Sequence, residues 1–112
     1  MIPSGIGAGL RTKVSASVGL YGRDASIDIE LQKIRAAVEA GADSIMDLSV
    51  SGNIDTMRSR TLAETSTPVG TLPLYQAIAE AAVKHVADGQ GKVPDYGGKA
   101  ADRMQFFGFP AA

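Results

Sequence analysis

The chain has 112 residues, 45% of them hydrophobic and 21% charged, with a formal net charge of −1, the balance of one water-soluble globular domain. That charge leaves no electrostatic footprint for nucleic acid or an anionic membrane surface, and no apolar run approaches the roughly 20 residues that cross a bilayer. With no cysteine and one histidine, His85, the 112 residues by themselves build no disulfide, cysteine nucleophile, cysteine-held iron–sulfur cluster or multi-histidine metal site.

The opening segment, "MIPSGIGAGL", has neither a basic leader nor a continuous apolar stretch, so it does not read as a signal peptide and a cytoplasmic location is expected. Its "GIGAG" follows no strand and opens no helix, and so fails the context that a dinucleotide loop requires. The first strand is expected at about Lys13 to Val18. The helix after it, in "SIDIELQKIRAAVEAG", places Ile27, Leu31, Ile34 and Val38 at helical spacing. Ser26 suits its N-cap, Asp28 and Glu30 suit the positive end of its dipole, and Gly41 suits a left-handed C-cap.

A second strand is expected over Asp43 to Ser49, then a helix from about Ile54 to Glu64 capped by Asn53 or Asp55, with Ile54, Met57, Thr61 and Leu62 on one face. The third strand lies in "TPVGTLP". The third helix runs from about Leu74 to Ala87, with Ile78, Ala82, Val83 and Val86 inward and Gly89 at its end. Strands alternating with helices of this length specify βα units and a parallel sheet. The remaining residues are rich in glycine and phenylalanine and read as a loop, a short helix at Ala100 to Phe106 and an apolar tail.

Parallel α/β folds bind ligands at the carboxyl ends of their strands. Those ends here are "SASVGLYG", "MDLSVSGN" and "VGTLPLYQ". Each combines small or hydroxyl side chains, a glycine and a following helix, so a ligand can approach the backbone and an anion can meet free amides. The hydroxyls of Ser15, Ser17, Ser49, Ser51 and Thr71 are available to complete such a site, although the same residues also satisfy the sterics of an ordinary strand-to-helix turn. Met46 fits a core methionine, Tyr75 fits packing at a helix start, and Asp47 fits either a catalytic group or the cap of its own loop. Arg58 and Arg60 fit a solvated helix face or a phosphate contact, and His85 fits a mid-helix histidine without a functional role.

Three blocks, "GLRTKVSASVG", "AVEAGADSIMDLS" and "TPVGTLPLYQA", resemble consecutive segments of the phosphomethylpyrimidine synthase family, the thiamin pyrimidine enzymes. The family-like region is 7–83, within a single incomplete barrel domain over 1–112 whose tail, 88–112, is unassigned. The resemblance implies a fold class of α/β, a partial (β/α)8 barrel of about three βα units plus an irregular tail. It implies a radical S-adenosylmethionine lyase that rearranges 5-aminoimidazole ribotide to the thiamin pyrimidine, 4-amino-5-hydroxymethyl-2-methylpyrimidine phosphate. A [4Fe–4S] cluster, held by a CxxCxxxxC segment, and zinc, held by two histidines, are the metals implied for the full-length family; their ligands are not among these 112 residues.

Carried over position by position, the resemblance implies that Ser17, Met46 and Tyr75 bind substrate, with no catalytic and no metal residue in the chain. The three are spaced 29 residues apart. "VSASVG" stands where the family has "VNANIG", so two asparagines are serines and Ser17 offers a hydroxyl in place of an amide's paired donor and acceptor. This departure resembles the paralogous 5-hydroxybenzimidazole synthase, which makes the lower base of cobamides from the same ribotide. The expectation is a segment of such an enzyme, inactive alone, its open sheet edges covered by a homo-oligomer or by a missing C-terminal segment; a non-catalytic ribotide-binding module and a degenerate remnant are the alternatives. Neither nucleic acid nor a membrane is expected as a partner.

Overall fold

Each strand of this protein is only three or four residues long, and the helices between them do most of the covering. The computed structural model describes residues 3–88, with strands β1 (Ser15–Val18), β2 (Ser44–Asp47) and β3 (Val69–Thr71) alternating with helices α1 (Ile27–Glu39), α2 (Ile54–Glu64) and α3 (Pro73–Asp88). The sheet has the order β1-β2-β3 and every pairing is parallel. This is the α/β arrangement of three successive βα units that the alternating pattern specifies. The expected helix at 100–106 lies outside the described residues. No helix among the described residues is long and apolar enough to cross a membrane.

Local chemistry sets the helix ends. Ser26 Oγ accepts the Ile29 N–H at 3.5 Å at the start of α1, and Asp28 and Glu30 occupy its first turn. At its end Gly41 adopts φ +97°. Its N–H donates to Val38 O at 3.0 Å and the Ala42 N–H to Ala37 O at 2.9 Å, the paired bonds of a Schellman ending. Of the two caps considered for α2, Asn53 is the one used: its side chain accepts the Thr56 N–H at 3.0 Å. Pro73 opens α3, where a missing N–H costs nothing.

One apolar cluster joins the sheet to α1 and α2: Val18, Leu20, Leu31, Ile34, Ile45, Met57 and Val69, with Ile27, Val38 and Leu62 packed against it. Ion pairs between Arg35 and Glu64, and between Arg60 and Asp28 at 2.8 Å, tie α1 to α2 along their outer sides. Exposed pairs of this kind add little each, and the cluster holds the two helices together.

Two expectations are corrected. Helix α3 does not turn Ile78 and Val83 inward: they are 42% and 72% exposed, Ala82 is exposed too, and Pro73, Gln76, Ala77 and Ala81 are buried instead. The side chain of Val86 lies outside the described residues. The rotation of α3 follows from Gln76, which is 2% exposed. Its amide nitrogen donates to Asp55 Oδ1 and Glu80 Oε1, both at 3.0 Å, while its oxygen accepts from Arg58. These bonds fix the face, and alanines at 77 and 81 let it lie close.

The second correction concerns Arg58, which is 5% exposed and not on a solvated face. It reaches Asp55 Oδ1 at 3.1 Å and Gln76, so its guanidinium is engaged between α2 and α3. Arg60 remains about half exposed.

Candidate functional site

A strand points successive side chains to opposite faces, and residues paired in register share a face. Ser15 pairs with Ser44, Ser17 with Met46, and Met46 with Gly70. These five residues therefore form one face, and all are exposed or half-buried. The other face carries Ala16, Val18, Ile45, Asp47, Val69 and Thr71, of which all but Ala16 are buried beneath the helices. This face, which nothing among the described residues covers, is thus small and polar apart from Met46, whose thioether lies along the sheet over Gly70.

The structure brings Ser17 and Met46 side by side as register partners on that uncovered face. Tyr75 is not on the sheet. It stands in the first turn of α3, 42% exposed, with its N–H donating to Leu72 O at 3.0 Å. The register partner of Met46 on β3 is Gly70, so the even spacing of 29 residues leads from two strand positions to a helix start. The hydroxyls expected to act together are divided: Ser15 and Ser17 lie on the uncovered face, whereas Ser49 and Thr71 are buried.

Beyond the strand ends, the first two βα loops are fastened to each other. Parallel pairing continues past the strands, with the Leu48 N–H donating to Val18 O at 2.8 Å and the Val50 N–H to Leu20 O at 3.0 Å. Asp47 Oδ1 accepts both the Ser49 N–H at 2.9 Å and the Ser49 hydroxyl at 2.5 Å, an Asx-type turn. Ser49 Oγ then accepts the Leu20 N–H at 2.9 Å. Asp47 is therefore the cap of its own loop. Its Oδ2 and the hydroxyl of Thr71, its register partner, are buried with no hydrogen-bond partner among the described residues.

Gly19 sits where the two loops touch. A Cβ there would lie 2.6 Å from Ser49 N and 2.8 Å from Leu48 C, on a backbone with φ +153°. Its N–H donates to Glu30 Oε2 at 3.0 Å, and Lys33 Nζ holds Glu30 Oε1 at 2.7 Å. The glycine after β1 is thus required by a backbone neighbour. Of the two readings open for Asp47 in the sequence, the loop cap is the one the structure bears out, with Ser49 as its partner; Glu30 is expected from sequence only as a first-turn acid, and sequence reasoning missed it as a rim support. The D-x-S spacing carried a signal for the turn, while nothing short of the topology pointed to Glu30.

At the amino end of the sheet, Arg11 pairs with Asp43, whose Oδ2 also accepts the Val14 N–H at 2.8 Å. These bonds, that of Arg11 first, hold the Asp43 carboxyl below its ordinary range. Bonding to Arg35 does the same for Glu64. Neither group is near the uncovered face's carboxyl end, so both belong to the scaffold. No cluster of three metal-ligating side chains occurs among the described residues.

The family described as the radical SAM ThiC family matches residues 1–92. Among curated relatives, the chain is 68% identical over 83 residues to a 5-hydroxybenzimidazole synthase BzaA of Moorella thermoacetica, a match over 74% of this chain and 19% of that protein. It is 51% identical, over the same shares, to a phosphomethylpyrimidine synthase of Carboxydothermus hydrogenoformans. A second 5-hydroxybenzimidazole synthase BzaA, of Eubacterium limosum, is 52% identical over 83 residues. The chain spans about a fifth of the length of the curated relatives it matches.

Proposed function

Because the chain belongs to the radical SAM ThiC family, we propose that it forms the ribotide-holding part of an enzyme that rearranges 5-aminoimidazole ribotide in the cytoplasm. Ser17, Met46 and Tyr75 are the binding residues in this reading. The Ser17 hydroxyl gives one donor and one acceptor to the ribotide, the Met46 thioether gives a soft apolar surface to the imidazole ring, and the Tyr75 phenol gives a hydrogen bond at the rim. The observation that supports it most directly is the pairing of Ser17 with Met46 on the sheet face that no helix among the described residues covers.

Of the two products made from this ribotide, the benzimidazole is favoured over the thiamin pyrimidine. The 68% identity to a protein named 5-hydroxybenzimidazole synthase supports this, as do the serines at 15 and 17. S-adenosylmethionine and an iron–sulfur cluster supply radical chemistry in such an enzyme. The residues present do not fit a cluster, since the chain has no cysteine, nor a zinc site with a single histidine. This chain's contribution is therefore binding and orientation, and a partner polypeptide or further segment brings the metal ligands.

Calorimetric titration of 5-aminoimidazole ribotide into the chain tests the reading. Saturable micromolar binding that disappears in Tyr75→Ala and Met46→Ala is expected. Absence of binding rejects the site, and identical curves for the variants reject the residue assignment.

A further inference from the structure

Gly70 stands in the middle of β3, where glycine weakens a strand because it adds backbone entropy and packs nothing. Its backbone gives no reason for the choice. Among the described residues, five glycines have positive φ, and Gly70 is not one of them. What its missing side chain leaves room for is the neighbouring thioether. A Cβ at 70 would lie 2.8 Å from Met46 Cε and 2.9 Å from Met46 Sδ, whereas carbon contacts settle near 3.5 Å or beyond. Among the described residues no backbone atom stands within those distances, so the glycine answers there to Met46.

We propose that Gly70 is a positioning and specificity-determining residue: it forms a trough on β3 in which the Met46 side chain lies flat, setting the floor against which a planar heterocycle of a phosphorylated ribosyl ligand rests. The proposal rests on the assignment of Met46 to the ribotide site. It adds the reason that the floor is low. Met46 comes from β2, with Ser17 on one side and Gly70 on the other. With any side chain at 70, the thioether has two directions left, outward from the sheet or across toward Ser17. Either one fills space that the ligand's ring would occupy. Because the obstructing atoms are the far end of a flexible side chain, the fold tolerates the change while the floor does not.

The test labels the methionine methyl groups of the 112-residue chain with ¹³C and assigns the Met46 signal by its loss in Met46→Leu. In Gly70→Ala the Met46 methyl resonance should move, the signal of buried Met57 should stay, and affinity for 5-aminoimidazole ribotide should fall at least tenfold. An unmoved Met46 resonance overturns the proposal, as does a moved resonance with unchanged affinity. Failure of the unsubstituted chain to bind ribotide at all is a different result: it removes the ribotide site itself. If Gly70→Ala does not fold, adding Met46→Ala to it should restore the native spectrum, and a double variant that stays unfolded overturns the proposal, since the collision would then lie elsewhere.

Discussion

The two faces of the sheet are written in the same three strands, one residue out of step. Ala16, Val18, Ile45 and Val69 go to the helices and bring branched or compact apolar volume; Ser15, Ser17, Ser44, Met46 and Gly70 go the other way and bring almost none. A closed eight-stranded barrel usually fills its inner face with bulky branched residues. Here that face is kept low, and the one long side chain among its five described residues lies down. The difference separates the two jobs: one face holds the fold, and the other is free to be shaped by what it meets.

The comparison breaks most readily at Ile45, fully buried between its strand neighbours and the helices. Ile45→Ala should cost about 2–5 kcal/mol, the range for large-to-small changes in a core, read as a fall in the urea midpoint. A much smaller loss would mean that the helix side is loosely packed and that the two faces differ less than their residues suggest. Gly19→Ala comes next. Its new Cβ meets Ser49 N and Leu48 C, which are backbone atoms that cannot swing away. A cost of about 1–3 kcal/mol is expected from overpacking and strain, again by denaturant midpoint.

Acid should act on the scaffold rather than on the uncovered face. Asp43 and Glu64 have folded pKa values lowered by Arg11 and Arg35, respectively, so the unfolded chain binds their protons more tightly than the folded one. The stability they contribute is complete above the unfolded carboxylate values of about 4. It is lost as the pH falls through the lower folded values. Midpoints measured from neutral pH down to about pH 3 should decline in that window, and Arg11→Ala should flatten part of the decline. An undiminished decline in that variant would transfer the acid sensitivity to other carboxylates.

Most of this architecture was legible in the sequence because it depends on local rules. Ser26 before an apolar period, Gly41 after it and Pro73 at a helix start each announce an end by their own chemistry. The rotation of α3 was not legible. Ile78, Ala82 and Val83 make the more apolar stripe, yet Gln76 faces inward because Arg58 and Asp55 of the preceding helix meet it there. Hydrophobic periodicity cannot register a bond made between helices. The site was half legible for the same reason. Ser17 and Met46 entered as binding residues through family likeness, Ser17 also as a strand-end hydroxyl, while their shared face and setting depend on the register and on contacts across 24 to 29 residues: Gly70 beneath Met46, and Ser49 against Leu20.

The smallest stability effect should come from the uncovered face, and it is the most discriminating. Ser17 is exposed and pairs through its backbone with Met46, so Ser17→Ala removes a hydroxyl without opening a cavity. Its unfolding midpoint should stay within about 0.5 kcal/mol of the unsubstituted chain, as for most surface changes, while ribotide binding weakens. A core-sized loss would mean that this face is packed against something in solution, a second copy of the chain among the candidates. Its small residues would then serve an interface and no ligand. An unchanged midpoint together with weakened binding places the effect at the site and not in the fold, and an unmoved Met46 methyl resonance in the same variant separates a direct contact of the hydroxyl from a shift of its neighbour Met46.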